Sequence, residues 1–401
     1  MPHWIVSSFR HVIPALVVGV SACGAADDPV AGIPQTSIPP GDTAAFRAAV
    51  ENAAPGDIVE IPHGEYGGPH YFTGIKGEPG RPIIITAADP SNPPHFTGGS
   101  EGLHFVEPAH LEIRNLVISG QATNGLNIDD GGDFSVPAQG ILIENLHVFD
   151  IGPDGNKDGI KLSGLVNFEV RNCLIERWGS GGSGIDMVGC HDGLIHDNTF
   201  KDGGSTGIQA KGGSANIAIR QNRFENSGAR AVNVGGSTGL QFFRPHPHQG
   251  FEAKDITVEG NIFLGSAAPV AFVNTDGSTF QYNTIYNPTG WIVRILQERT
   301  ESEFVPSRNG VFTDNLVVYR RDTLSDIVNI GPGTAPETFT FARNLWYAED
   351  APANSTPALP SDPTDAVVGV NPRLSNPASG DVSLSPNSPP EAGAVGAHAL
   401  P

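Results

Sequence analysis

Cysteine is nearly absent, with three in 401 residues. That excludes the disulfide framework of a small secreted scaffold. Cys23 falls near the start, so the body of the chain holds only Cys173 and Cys190, which either pair or stay free. No Cys/His spacing of the metal-binding kind occurs. Cations are also few. With 23 Lys and Arg against 43 Asp and Glu the net charge is −20, which argues against a nucleic-acid partner. A polyanionic ligand would need those cations gathered in one groove, or a metal ion as a bridge. Leucines do not recur at a fixed spacing, which excludes a leucine-rich repeat. The apolar run at 12–20 is too short to cross a membrane.

Glycine is abundant, at 50 residues, while charged residues make up 16% and aromatics 7%. This balance suits an all-β repeat protein with many tight turns. The first residues read as an export leader: Arg10 and His11, the short apolar run, then Val20-Ser21-Ala22-Cys23. Small residues before a single cysteine resemble the lipobox of bacterial lipoproteins, which implies cleavage before Cys23 and lipid on its thiol. The alternative is an ordinary signal peptide with Cys23 as a bystander. Residues 1–23 are thus expected to be a signal peptide and 24–40 a flexible tether. The protein is expected to be exported, as an outer-membrane or cell-surface lipoprotein or as a periplasmic or extracellular protein. Its contact with a membrane would be through a lipid anchor alone, and it is expected to be a monomer.

Gly41-Asp42-Thr43 opens a short helix over 44–52, with Asp42 or Thr43 placed to cap the first free amides. Phe46, Ala49 and Val50 share one face, which would close the open end of a stack of strands. A repeat follows. A strand ending in Asn recurs at Asn115, Asn145, Asn172, Asn198, Asn222, Asn261, Asn283, Asn315 and Asn344. Four of the gaps lie between 22 and 27 residues. Short strands repeating at this period without helices predict a parallel β-helix. The Asn supplies an αL-tolerant turn and an amide that bonds its counterpart in the next coil. All nine are therefore assigned to structure. The β-helix is expected over 41–347, with 348–401 lying along the stack as a C-terminal segment. The longest gaps carry loops at 238–252 and 294–306, placed to wall a binding site.

One phrase recurs within the repeat: Gly-Ile-Lys-Leu-Ser-Gly (159–164), Gly-Ile-Asp-Met-Val-Gly (184–189), Gly-Ile-Gln-Ala-Lys-Gly (207–212) and Ala-Val-Asn-Val-Gly-Gly (231–236). The alternation predicts strands with one buried face. It turns Lys161, Asp186, Gln209, Lys211 and Asn233 outward as a polar stripe. Arg230 stands at a strand entrance, Arg244, His246 and His248 lie on the first long loop, and Arg294 begins the second. Cations, amides and imidazoles gathered in this way can bind an acidic sugar and remove a proton from it. Separately, Asp154-Gly-Asn156-Lys-Asp158-Gly matches the first half of a calcium loop but lacks the closing Glu. Asp154, Asn156 and Asp158, joined by Asp129 or Asp130, are the candidate ligands for Ca²⁺. An ordinary Asn/Asp/Gly turn is the alternative.

The stretches Phe46-Arg-Ala-Ala-Val, Pro55-Gly-Asp-Ile-Val-Glu-Ile-Pro-His-Gly-Glu-Tyr66 and Gly80-Arg-Pro-Ile-Ile-Ile-Thr-Ala87 resemble secreted right-handed β-helix polysaccharide lyases, closest to the chondroitinase B and alginate lyase family. The resemblance implies a single-stranded right-handed parallel β-helix with an N-terminal capping helix. It also implies β-elimination on a uronate polymer. Lys211, in Gln-Ala-Lys-Gly-Gly-Ser, matches the family's base. The family's arginine would fall near Gly235, so Arg230 or Arg244 stands in, and its acidic calcium ligands have no counterpart in 203–207. On this reading Lys211 is the base, with Arg230, Arg244 and Gln209 at the carboxylate. His246, His248 or water is the acid, and Lys161, Asp186, Asn233 and Arg294 also contact substrate. A C5-epimerase, a glycoside hydrolase and a non-enzymatic glycan-binding surface protein are the alternatives.

Overall fold

Alternating apolar residues force each short strand to bury one face, and the chain meets that demand by stacking coil on coil. The computed structural model describes residues 37–401. The leader, Cys23 and nearly all of the tether lie outside the described residues. Most coils contribute one strand to each of three parallel sheets of twelve, twelve and ten strands. Every strand pairs with its counterpart in the next coil: Ile58–Ile61 with Ile83–Ala87 in the first sheet, Glu65–Gly67 with His95–Thr97 in the second, His70–Thr73 with Glu101–Val106 in the third. This is a parallel β-helix.

In-register stacking turns the inward positions into columns. Ile160, Ile185, Ile208, Val232, Val270 and Val293 are successive partners in the third sheet, and all are buried. In the second sheet Phe200, Phe224 and Phe263 stack with centroids 4.9 and 4.8 Å apart. Each such side chain contributes roughly 1.5–3 kcal/mol on burial.

The repeated asparagines occupy two adjacent positions, not one. Asn115, Asn145 and Asn172 take the left-handed turn itself, with φ of 57°, 54° and 54°. From the next coil onward that turn belongs to the residue before the Asn: Asp197, Gln221, Gly260, Tyr282, Asp314 and Arg343. Asn198, Asn222, Asn261, Asn283, Asn315 and Asn344 instead point inward, nearly or fully buried. Each side-chain oxygen accepts from both the backbone N–H and the side-chain amide of its predecessor, as at Asn222, whose N and Nδ2 lie 2.9 and 3.0 Å from Asn261 Oδ1. The same pattern runs unbroken to Asn344. Cys173 precedes this ladder and donates its N–H to Asn198 Oδ1. Both Cys173 and Cys190 are buried free thiols.

The helix Thr43–Glu51 covers the first coil, capped by Asp42 through Ala45 N at 2.9 Å. Its Phe46 packs edge-on against Tyr66, His70 and Phe72. The last fifty residues run back along the second sheet. The antiparallel pair Leu374–Asn376 and Asp381–Leu384 leads to Ala392 and Val395, which cover Leu316 and Leu345.

The two Asn positions predict opposite sensitivities. Asn261→Ala removes a buried acceptor and leaves Asn222 N and Nδ2 without it, and is expected to cost about 3 kcal/mol or more. Asn172→Gly keeps an exposed left-handed turn and is expected to stay within about 1 kcal/mol of wild type. Chemical denaturation of both variants checks the contrast.

Candidate active site

The third sheet's outward face carries the polar stripe. Register brings Asn127, Lys161, Asp186, Gln209 and Asn233 into one column. Asp129, Ser163, Val188 and Lys211 form the next column in four successive coils. The face is not uniformly exposed, however. Asp186 is completely buried and Asn233 nearly so. The reason is geometric: the long stems of Lys161 and Lys211 arch over Asp186 from the coils on either side. Lys161 Nζ donates to Asp186 Oδ2 and, at 3.3 Å, to Asp158 Oδ2. Lys211 Nζ lies 2.9 Å from Asp186 Oδ1 and 3.4 Å from Gln209 Oε1.

The electrostatics of this cluster follow from its depth. Burial disfavours a charge on Asp186, but Lys211 and Lys161 more than offset it and hold its pKa below the ordinary value. Asp158 goes the other way, raised by burial and by the neighbouring Asp186 charge. Burial also opposes the charge of Lys161, yet Asp186 and Asp158 raise its pKa. Removing one member of such a buried pair costs about 3–5 kcal/mol, so the cluster is a structural unit as well as a polar surface.

A groove of about 530 Å³ opens above it, floored by Lys161, Ser163, Val188 and Lys211. Thr238 and Phe242 of the loop over 238–252 form one wall, and Asp129 and Asp130 form the upstream end. The fully buried Glu252 anchors this loop. It accepts from Thr238 N, Thr238 Oγ1 and Gly212 N, each at 2.7 Å. Phe242 is 52% exposed, an apolar platform at the rim.

The remaining expected residues are placed as follows. Arg244 lines the groove, but its guanidinium is held by Asp130 at 2.5 and 2.7 Å and lies over the Phe134 ring. It is therefore not a free carboxylate clamp. Arg230 does not line the groove; it is bonded to Asn233 Oδ1 and paired with Glu298 at 2.8 Å. Arg294 lies further along, over Trp291. The two loop histidines do not line the groove. His246 is exposed near Phe134, and His248 stacks on Phe304 at 4.6 Å. Nor does the calcium half-loop gather its side chains. Asp154 and Asn156 are exposed, whereas Asp158 is buried and bonded to Ser183 N and Lys161. Among the described residues no three His, Cys, Asp or Glu side chains gather as a metal site.

Sequence spacing did not reveal three features: the pairing of Asp130 with Arg244, the anchoring Glu252, and a carboxylate–imidazole–carboxylate chain that ends at Asp129. In that chain His104 Nδ1 lies 2.7 Å from Glu101 Oε2 and Nε2 lies 2.6 Å from Asp129 Oδ2. Burial opposes the imidazolium, but bonds to Asp129 and Glu101 raise His104 to about 9.

Residues 95–246 match the family model described as "Right handed beta helix region". The chain is a right-handed parallel β-helix. Three solved structures share the fold. A PL6 family alginate lyase, AlyGC, aligns with a TM-score of 0.52 at 13% identity, covering 88% of this chain and 55% of that one. Pectate lyase Pel9A gives 0.51 at 13% identity, covering 73% of each. An alginate lyase from Paenibacillus sp. str. FPU-7 gives 0.50 at 17% identity, covering 73% of this chain and 97% of that one. At these identities the likeness is one of fold. No curated protein matches the sequence.

The His104 chain makes a signed prediction. A histidine raised from 6.5 to about 9 in the folded state stabilises fully below its unfolded pKa, and that stability is lost as pH rises through the folded value. The term amounts to at most about 3 kcal/mol. Thermal melts of wild type are expected to fall between about pH 6.5 and 9 by an amount missing from His104→Asn.

Proposed function

We propose that the protein is an exported, soluble or lipid-anchored, polysaccharide lyase that cleaves a uronate-containing polymer by β-elimination, with Lys211 as the base. The observation that carries this reading is the placement of Lys211 Nζ at the groove floor, 2.9 Å from a fully buried carboxylate. In the reaction the Lys211 amine takes the C5 proton, and the C5–H electron pair forms the C4=C5 double bond. The C4–O bond breaks, and the leaving oxygen takes a proton from water, since neither loop histidine reaches the groove. Lys211 rests as the cation paired with Asp186, so it acts as base after giving that proton to solvent, and Asp186 then stabilises the ammonium re-formed as the C5 proton arrives. Lys161 offers its ammonium to the substrate carboxylate, with the Ser163 hydroxyl beside it. The polymer's rings have Phe242 to pack against. The shared fold of three structures described as alginate or pectate lyases supports the same class of substrate. A C5-epimerase would begin with the same proton removal and return the proton to the opposite face.

One observation favours a second reading. Asp129 lines the same groove and is held below the ordinary carboxylate range: burial opposes this, but His104 outweighs it. An ionised carboxylate there suits the base of a glycoside hydrolase.

A panel of uronate polymers decides between them. The lyase gives unsaturated ends detected by ultraviolet absorbance, and Lys211→Ala lowers kcat/KM about 10²–10⁴-fold. New reducing ends without unsaturation, abolished by Asp129→Asn, establish the hydrolase instead. Binding without product establishes a glycan-binding protein.

A further inference from the structure

Beyond the groove the third sheet carries a second cationic feature that the proposed chemistry does not use. Asn233, Ala271 and Arg294 are register partners in three successive coils after that of Lys211. Arg230 enters the first of these coils, so Arg230 and Arg294 stand two coils apart, about 10 Å along the axis. Ala271 lies fully buried between them and presents no side chain of its own to solvent. The two guanidinium groups and Glu298 thus make up the charge at this place.

The two arginines differ in what they have to bind. Arg230 spends its fork within the protein, on Glu298 at 2.8 Å and Asn233 Oδ1 at 3.2 Å. Arg294 does not. Its Nε donates to Asn329 Oδ1 at 3.0 Å and its plane lies 4.3 Å from the centroid of Trp291. These two contacts fix the orientation of the fork. Among the described residues no carboxylate pairs with Arg294 and no acceptor meets its terminal amino groups. Its pKa is lowered by burial and by the Arg230 charge, with Glu298 opposing. Around Arg294 two arginines thus stand against one carboxylate, Glu298. A flat, oriented fork short of negative charge matches a planar carboxylate, which it can bind through two parallel hydrogen bonds.

We propose that Arg294, held by Trp291 and Asn329 and backed by Arg230, is a distal subsite that grips the carboxylate of a second uronate unit on the polymer bound at Lys211. The inference rests on the uronate reading above. The subsite lies three coils, about 14 Å, beyond that of Lys211. It follows that the polymer runs along the helix axis towards the C-terminal end, and that only longer oligosaccharides reach both places.

Calorimetric titration with defined uronate oligosaccharides, in a Lys211→Ala background that blocks turnover, tests this. Hexa- and octasaccharides are expected to bind more tightly than di- and trisaccharides. Arg294→Ala is expected to weaken the long ligands about tenfold or more and to leave the short ones unchanged. Arg294→Lys should recover only part of the loss, because it restores charge without the fork. Trp291→Leu should act in the same direction as Arg294→Ala, and melts near the parent's show that each variant is folded. If Arg294→Ala leaves the length dependence intact while wild type still cleaves uronate polymers, the subsite is wrong and the lyase reading stands. Arg294-dependent binding of sulfated neutral oligosaccharides, but not of uronates, also overturns the proposal. If wild type neither binds nor cleaves any uronate chain, the uronate reading falls, and the subsite with it.

Discussion

Everything in this structure depends on one coil meeting the next in a fixed parallel register. Strand hydrogen bonds alone hold register weakly, since a slide by two residues restores the same alternation. The buried asparagine ladder removes that freedom. From Asn222 to Asn344 each side-chain oxygen receives two bonds from the coil before it. A slipped coil would leave those groups unpaired in the core, at a cost that backbone pairing elsewhere cannot repair. With register held, the apolar columns align and the outward columns become fixed rows of chemistry.

The groove shows what such rows can do. Lys161, Asp186 and Lys211 belong to three consecutive coils and are far apart in sequence, yet stacking sets them side by side. Asp186 can be wholly buried and still charged because both neighbouring coils supply a cation. The loop over 238–252 then closes one side, held by Glu252 at its base and by Arg244 across to Asp130. Three cations, Lys161, Lys211 and Arg244, are thus brought to one groove by stacking and by the loop, each beside a carboxylate.

The β-helix was legible in sequence because its signals are periodic: the recurring Asn, the alternating strands, the repeated Gly-Ile phrase. The face bearing Lys161, Gln209 and Lys211 was legible for the same reason. Depth was not. Alternation says that Asp186 points outward; it does not say that two lysine stems cover it. The Asn signal also merged two jobs, since Asn172 and Asn198 look alike in a strand ending but differ by one residue in register, one in the turn and one in the core. Long-range pairs left no local trace. Asp130 and Arg244 are 114 residues apart, and the half-loop at 154–158 resembled a calcium site because its spacing carries no information about where Asp158 turns.

The C-terminal segment has a mechanical consequence. A stacked array can lose its last coil without disturbing the others, because each coil touches only its neighbours. Here the returning chain touches several coils at once. Arg223 donates to Gly380 O at 2.9 Å, Ala397 N to Thr284 Oγ1 at 3.0 Å, and Gly396 N to Asp314 O at 2.8 Å. These anchors come from three different coils, so the segment acts as a splint. The terminal coils cannot peel away one at a time while it is docked. Opening of that end becomes a single concerted event with a correspondingly higher barrier.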